Sequence, residues 1–212
     1  MGLDTSLCGV KETFSEWIYS IWSKFLTYFG KIKVLTFNFI PILAYDPEPL
    51  IVDGYDVTHI MEIAKPGDVL IRGYDDYLDG RFIPDELGYS HAGLYVGDGE
   101  VIHSAAPCVQ SIHVIDFCQA DRIMLLRPNS GQDSAIDEAR MSLGIPYDFN
   151  YETDIGKLYC FELIAACYPQ SSMRRFTIKK LFGLLKRECY IAKSIYQNPF
   201  FNQIFEINEK TA

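Results

Sequence analysis

Apolar and polar residues recur with two different periods along this chain, and the change of period divides it. Over residues 12 to 30, Phe14, Trp17, Ile18, Ile21, Trp22, Phe25, Leu26 and Phe29 fall at i, i+3, i+4 and i+7, the spacing that lines one helical face. A second apolar stretch, Val34 to Leu43, meets Pro41 and then Asp46-Pro47-Glu48-Pro49, which reads as a linker. The expected organisation is an aromatic amphipathic helix and Pro-rich linker over 1–49, followed by a folded domain over 50–212. From Pro66 the pattern shortens to strands: Asp68 to Ile71, His91 to Val96 and Val101 to Ser104, with Gly97-Asp98-Gly99-Glu100 as the hairpin turn between the last two. Ser111 to Ile115 and Arg122 to Leu126 continue the series. Helical spacing returns over Ser134 to Leu143, with Asp133 or Ser134 as N-cap, and over Cys160 to Tyr168. It also predicts a helix over Thr177 to Glu188, where Leu181, Phe182, Leu184 and Leu185 fall mostly on one side. The fold class that follows is α+β, a small antiparallel sheet flanked by helices.

Composition narrows the function. Of 212 residues, 49% are hydrophobic and 14% aromatic, enough for a packed core and outside the disordered range. A formal net charge of -9 lacks the basic footprint a nucleic-acid partner requires. The six cysteines, at 8, 108, 118, 160, 167 and 189, form no C-x-x-C pair, so zinc-ribbon spacing is absent and reduced, buried thiols are expected. Asp4 and the lack of a positive n-region argue against a cleavable signal peptide, and no run of eighteen residues is apolar enough to span a bilayer. A cytoplasmic protein is expected. The aromatic stripe of 12–30 packs most simply on the domain or a partner subunit. Peripheral membrane contact through it is the sharper reading, and Met1-Gly2 with Ser6 fits a myristoylation pattern with Cys8 as a second acyl site.

Three residues carry the candidate chemistry. Cys160 opens an apolar helix, so its thiol meets the positive end of the helix dipole, and the amides there point at a developing oxyanion. His91 and His103 lie twelve residues apart, one on each strand of the hairpin, with an even separation compatible with one shared face. His91 then serves as base and His103 orients it, as the third member of a triad does. Taken singly, a buried helix cysteine and a histidine satisfied by backbone are the commoner readings. Tyr147 and Tyr159 are core residues or oxyanion donors, and Glu162 is a charge in the first turn of its helix. Asp75, Asp76 and Asp79 form a Gly-bounded loop, more commonly a solvated one, that is able to bind an amine or a cation. His59 and His113 have no partner pattern.

The run YSHAGLYVGDGEVIHSA resembles the histidine hairpin of NlpC-type, papain-like cysteine hydrolases. In most of that superfamily the Cys precedes the His; here His91 precedes Cys160, as in the circularly permuted YiiX/YaeF-like amidases. KPGDVLIR (65–72) resembles the strand that opens the domain, Ile123 to Pro128 the "lRP" strand end, GIPYDFNY (144–151) the G-x-x-YDF turn, and YCFELIAACY (159–168) the YCSEL helix. The likeness spans residues 65 to 207. It implies a permuted papain-like fold, Cys160 as nucleophile, His91 as base, His103 as third residue, and an amide or peptide bond cleaved through a thioester. Phe161 departs from the small residue usual after the Cys. The substrate implied is a peptide or amino-acid amide; an acyl lipid, as in the lecithin:retinol acyltransferase group, is the alternative. A Cys/His zinc site and an inactive binding module are the remaining rivals. The hydrolase reading calls for no cofactor and no metal.

Overall fold

The computed structural model describes residues 21, 32–37, 40–45, 52–74, 87–151, 156–180 and 185–207. The aromatic helix of 12–30 (save Ile21), the linker at 46–49, the acylation positions Gly2 and Cys8, and Asp75, Asp76 and Asp79 lie outside them. The apolar stretch around Pro41 folds back on itself: β1 (Ile32–Phe37) pairs antiparallel with β2 (Ile40–Tyr45), and Pro41 sits inside β2 opposite Thr36. A two-stranded ribbon has only edges, so the missing N–H is tolerated.

The next element, α1 (Gly54–Ile63), begins at a capping box. Asp53 accepts from the N–H groups of Tyr55 and Asp56, and the Asp56 carboxylate accepts from Asp53 N–H at 3.1 Å. Lys65-Pro66-Gly67 ends it and turns the chain into β3 (Val69–Gly73). The rest of the sheet is β4 (Tyr89–Gly97), β5 (Glu100–Ala105), β6 (Cys108–His113), β7 (Arg122–Pro128) and β10 (Phe201–Ile207), in the order β10-β7-β3-β4-β5-β6 with every pair antiparallel. Strand alternation sorts the core into two layers. Val69, Ile71, Ala92, Leu94, Ile102, Met124 and Leu126 pack with α3 (Gln132–Met141), α4 (Cys160–Cys167) and α5 (Ala192–Tyr196) on one face. Leu70, Tyr95, Val101, Ile123 and Leu125 pack with α1 and α2 (Val114–Phe117) on the other. The architecture is an antiparallel sheet flanked by helices, with its best-buried elements supplied by the two most apolar strands, β3 and β7.

Some elements depart from the expectation. The helix predicted over Thr177 to Glu188 is instead a hairpin of β8 (Phe176–Lys180) and β9 (Leu185–Cys189). Phe176-Thr177-Ile178 is a β-favouring run and Gly183 interrupts the helical pattern, so the spacing of four leucine-like residues was ambiguous. The strand expected at Ser111 to Ile115 is β6, shifted toward the N-terminus, because His113 caps α2 by accepting from Ile115 N–H at 3.2 Å. Helix α3 starts from Gly131 in the left-handed region (φ 83°) rather than from Asp133 or Ser134. Cys118, Cys160, Cys167 and Cys189 are free and buried, whereas Cys108 is disulfide-bonded, against the expectation of reduced thiols. Among the described residues, no helix is long and apolar enough to cross a membrane.

Candidate active site

Asp98 and Gly99 both take positive φ (51° and 76°), the signature of a tight hairpin turn whose twist suits the flanking strands. That turn sets the register Gly93↔His103, Leu94↔Ile102 and Tyr95↔Val101. His91 and His103 therefore face the α1–α2 side of the sheet as a diagonal cross-strand pair. Their rings meet edge to face, with His91 Nε2 and His103 Nδ1 2.7 Å apart. Phe117, the last residue of α2, lies beneath both, 5.8 Å from each ring centroid. Gly93 makes the approach possible: a Cβ there would lie 2.6 Å from Val101 Cγ1 and 2.7 Å from Phe117 Cε2.

Cys160 arrives from the other face. The segment 144–147 docks on β6, with Gly144 N–H donating to Val109 O and Tyr147 N–H to Pro107 O, both at 2.9 Å. Leu158 pairs in turn with this segment, through Leu158 N–H to Pro146 O and Asp148 N–H to Leu158 O. Ser104 Oγ also donates to Leu158 O, at 2.6 Å. These bonds fix the entry to α4, so Cys160 stands at its first turn. The β4–β5 ladder stops at Gly93↔His103, which leaves the Ser90–Ala92 edge of β4 facing this turn. The thiol lies against that edge: Sγ donates weakly to Ser90 O at 4.0 Å, and Ala92 N–H also acts on it. The structure thus joins His91 to His103, and brings Cys160 to the backbone on either side of His91. Among the described residues the thiol bonds to that carbonyl and not to an imidazole nitrogen.

Burial dominates the protonation states. It pushes the Cys160 thiol up to about 12, opposed by the amides of Ala92, Phe161 and Cys160 and by the Arg72 charge. The helix-end amides do favour the thiolate as the sequence suggests, but desolvation outweighs them. Burial, and then the neighbouring Arg72 charge, bring His103 down to about 3. The same causes, joined by His103, hold His91 well below the usual imidazole value. The resting site is a neutral thiol beside two neutral imidazoles.

Arg72 and Phe117 are site residues that the sequence reading did not single out. Arg72 pairs with His91 across β3–β4. Its Nη1 donates to the α2 carbonyls of Phe117 (2.8 Å) and Asp116 (3.3 Å), and its guanidinium lies 4.7 Å from the centre of the Phe117 ring. A cation closing an otherwise apolar strand, Val-Leu-Ile-Arg, was the available signal. The structure also places the remaining candidates. Tyr159 is buried and its hydroxyl accepts from Tyr190 N–H at 2.7 Å. Tyr147 lies near Tyr151 and the thiol, its phenol held well above the usual value first by burial. Phe161 packs in the core behind α4. Glu162 sits in the first turn of α4 and is felt by Arg175. His59 packs edge-on against Phe205.

With this geometry in view, the relatives are informative. No curated protein matches the chain. The metalloprotein YiiX from Escherichia coli O157:H7 has a similar solved structure, with a TM-score of 0.57 and 16% identity, covering 68% of this chain and 97% of that one. At such identity the likeness is one of fold. Residues 63–198 match the family described as permuted papain-like amidase enzymes, YaeF/YiiX, C92. That span takes in β3, the histidine hairpin and the α4 cysteine, and the chain belongs to this family of permuted papain-like amidases.

Proposed function

We propose that this protein is a thiol hydrolase that opens an amide bond through a thioester on Cys160. Family membership supports amide bonds as the substrate class. The observation that carries the mechanism is the 2.7 Å bond between His91 Nε2 and His103 Nδ1, made where the β4–β5 ladder ends and the Cys160 thiol lies. With Nε2 engaged, Nδ1 is the nitrogen of His91 left to take the thiol proton. His91 Nε2–H then donates to His103 Nδ1, which fixes the tautomer and orientation of the base. Because both groups rest neutral, proton transfer accompanies attack rather than preceding it. The sulfur adds to the carbonyl carbon, and the amides of Cys160, Phe161 and Ala92 are the donors nearest the developing oxyanion. His91 returns the proton to the leaving amine. Water, deprotonated by His91, then hydrolyses the thioester to the acid and restores the thiol.

YiiX is a metalloprotein, but the donor set of this chain is not that of a metal centre. Among the described residues no three His, Cys, Asp or Glu are grouped to hold an ion. The facing imidazole nitrogens, 2.7 Å apart, are at hydrogen-bond distance, too close to flank a zinc ion at about 2.1 Å from each. The residues do not fit a metal, and no step uses one.

The test uses the full chain with p-nitrophenyl acetate as a generic acyl donor, followed by acid quench and peptide mass mapping. Amino-acid amides and an acyl phospholipid then compete for the same label. The expected result is an acyl group on Cys160, absent in Cys160→Ser and displaced best by amides. Equal labelling of several thiols, or an unmodified Cys160 during turnover, overturns the reading.

A further inference from the structure

Residues of α1 and α2, together with Val52 and Cys118, wall a cavity of about 250 Å³ on the face of the sheet opposite α4. Val52, Val57, Met61, Ile115 and Cys118 supply its apolar lining, and Asp53 is among the polar residues that complete it. Backbone bonds hold the walls: Val52 N–H donates to Ala120 O at 3.1 Å, and Cys118 N–H to Val114 O at 2.8 Å. Met61 is 40% and Ile115 50% exposed, so the apolar lining continues out to the surface. Single exposed apolar residues need no explanation, but two that frame a concave apolar surface do. The charge around it has one sign. Residues 52–64 and 114–121 carry Asp53, Asp56, Glu62, Asp116 and Asp121 and no lysine or arginine, and Asp53, Glu62 and Asp116 are exposed. The N-terminus of α1 offers an anion little here, because the Asp53 and Asp56 carboxylates already accept from the N–H groups of Asp53, Tyr55 and Asp56.

We propose that this cavity docks a basic peptide segment of a partner protein, with one bulky apolar side chain of that segment seated inside it. An apolar pocket within a charged rim is the anatomy of an interface anchor, and the acidic rim selects cationic residues on either side of the anchor. A second copy of this chain, at a net charge of -9, would meet like charge here. Nucleic acid and an anionic bilayer are repelled for the same reason. Docking also bears on the site, because α2 ends in Phe117, whose ring lies beneath His91 and His103. The inference rests on the cavity and the charge around it, not on the hydrolase reading.

The experiment is fluorescence anisotropy of the full chain with labelled peptides Lys-Lys-Gly-X-Gly-Lys-Lys, where X is Leu, Ile, Met, Phe or Trp, across a salt series. Wild type is expected to bind at least one of them, and less tightly as salt rises. The same peptide with Ser at X, or with Glu for every Lys, should bind at least tenfold more weakly. Met61→Ala/Ile115→Ala should weaken the complex about tenfold or more by removing the exposed walls of the pocket. Glu62→Gln/Asp116→Asn should weaken it about fivefold through the rim charge. Met141→Ala/Leu143→Ala and Asp133→Asn/Asp137→Asn make the same kinds of change at exposed positions elsewhere and should bind as wild type. If thermal melting shows the truncated variant unfolded, the rim variant decides alone. Wild type that ignores all five peptides overturns the proposal, as does equal binding of the Ser peptide or equal binding by the cavity and control variants.

Discussion

The two ends of β3 each hold a buried or half-buried arginine contact, and they treat its charge in opposite ways. At the start, Asp68 is 1% exposed and meets Arg127 of β7 through two charge-assisted bonds, Nε to Oδ1 at 2.9 Å and Nη2 to Oδ2 at 2.7 Å. The same Nη2 also donates to Ile63 O, and Lys65 N–H donates to Asp68, so strand, helix end and turn are tied together. At the far end, the described partners of Arg72 are carbonyls and aromatic rings, and among the described residues its buried Nε has no hydrogen-bond partner. Among the described residues no carboxylate pairs with it. A neutralised guanidinium serves the scaffold. The Arg72 charge, by contrast, is felt by both imidazoles and the thiol.

The contrast can be broken in four ways. The largest effect belongs to the chemical end: His91→Ala should lower acyl transfer by about 10²–10⁴, with the melting temperature little changed. At the scaffold end, Arg127→Ala strands a buried carboxylate and should destabilise the fold by about 3 kcal/mol in urea titration, with the acylation chemistry of the folded fraction intact. A selective loss of acylation there, without lost stability, would erase the distinction. Arg72 supplies a subtler probe through pH. Its charge lowers both imidazoles, so Arg72→Gln should raise them, and the acid limb of the rate profile should move to higher pH while Arg72→Lys leaves it nearly in place. The last probe reads the pH dependence of stability. His103 falls from 6.5 to about 3 on folding, so the unfolded chain binds the extra proton between those values. The stability from keeping it neutral is complete above about 6.5 and is lost as the pH drops toward 3. His103→Asn should flatten that part of the denaturation curve.

What the sequence disclosed follows the same physical lines. The hairpin of β4 and β5 was legible because Gly97-Asp98-Gly99 demands positive φ between two apolar runs. The start of α4 was legible because Cys160 begins a run of apolar residues after a polar loop. The permuted order, His91 before Cys160, came with the resemblance. Less was visible where local pattern and tertiary contact disagree. Strand β10 is interrupted by a register shift between Gln203 and Phe205, which blurs its alternation. Helix α1 buries fully only Ile60, so its apolar stripe is too thin to announce itself, and its cap, Asp53 with Asp56, is an acidic variant of the usual box. Arg72 and Phe117 are 45 residues apart and meet only through the sheet. No spacing rule reports such a pair.

Gly93 has a consequence beyond its own strand. Because its side chain is a single hydrogen, the Phe117 ring can lie against the sheet, and that ring is the common rest for a guanidinium and two imidazoles. A methyl group at position 93 would push the ring outward and release all three supports at once. On the mechanism proposed for Cys160, alteration there would silence the sulfur from a distance, leaving every group chemically intact but none of them aimed.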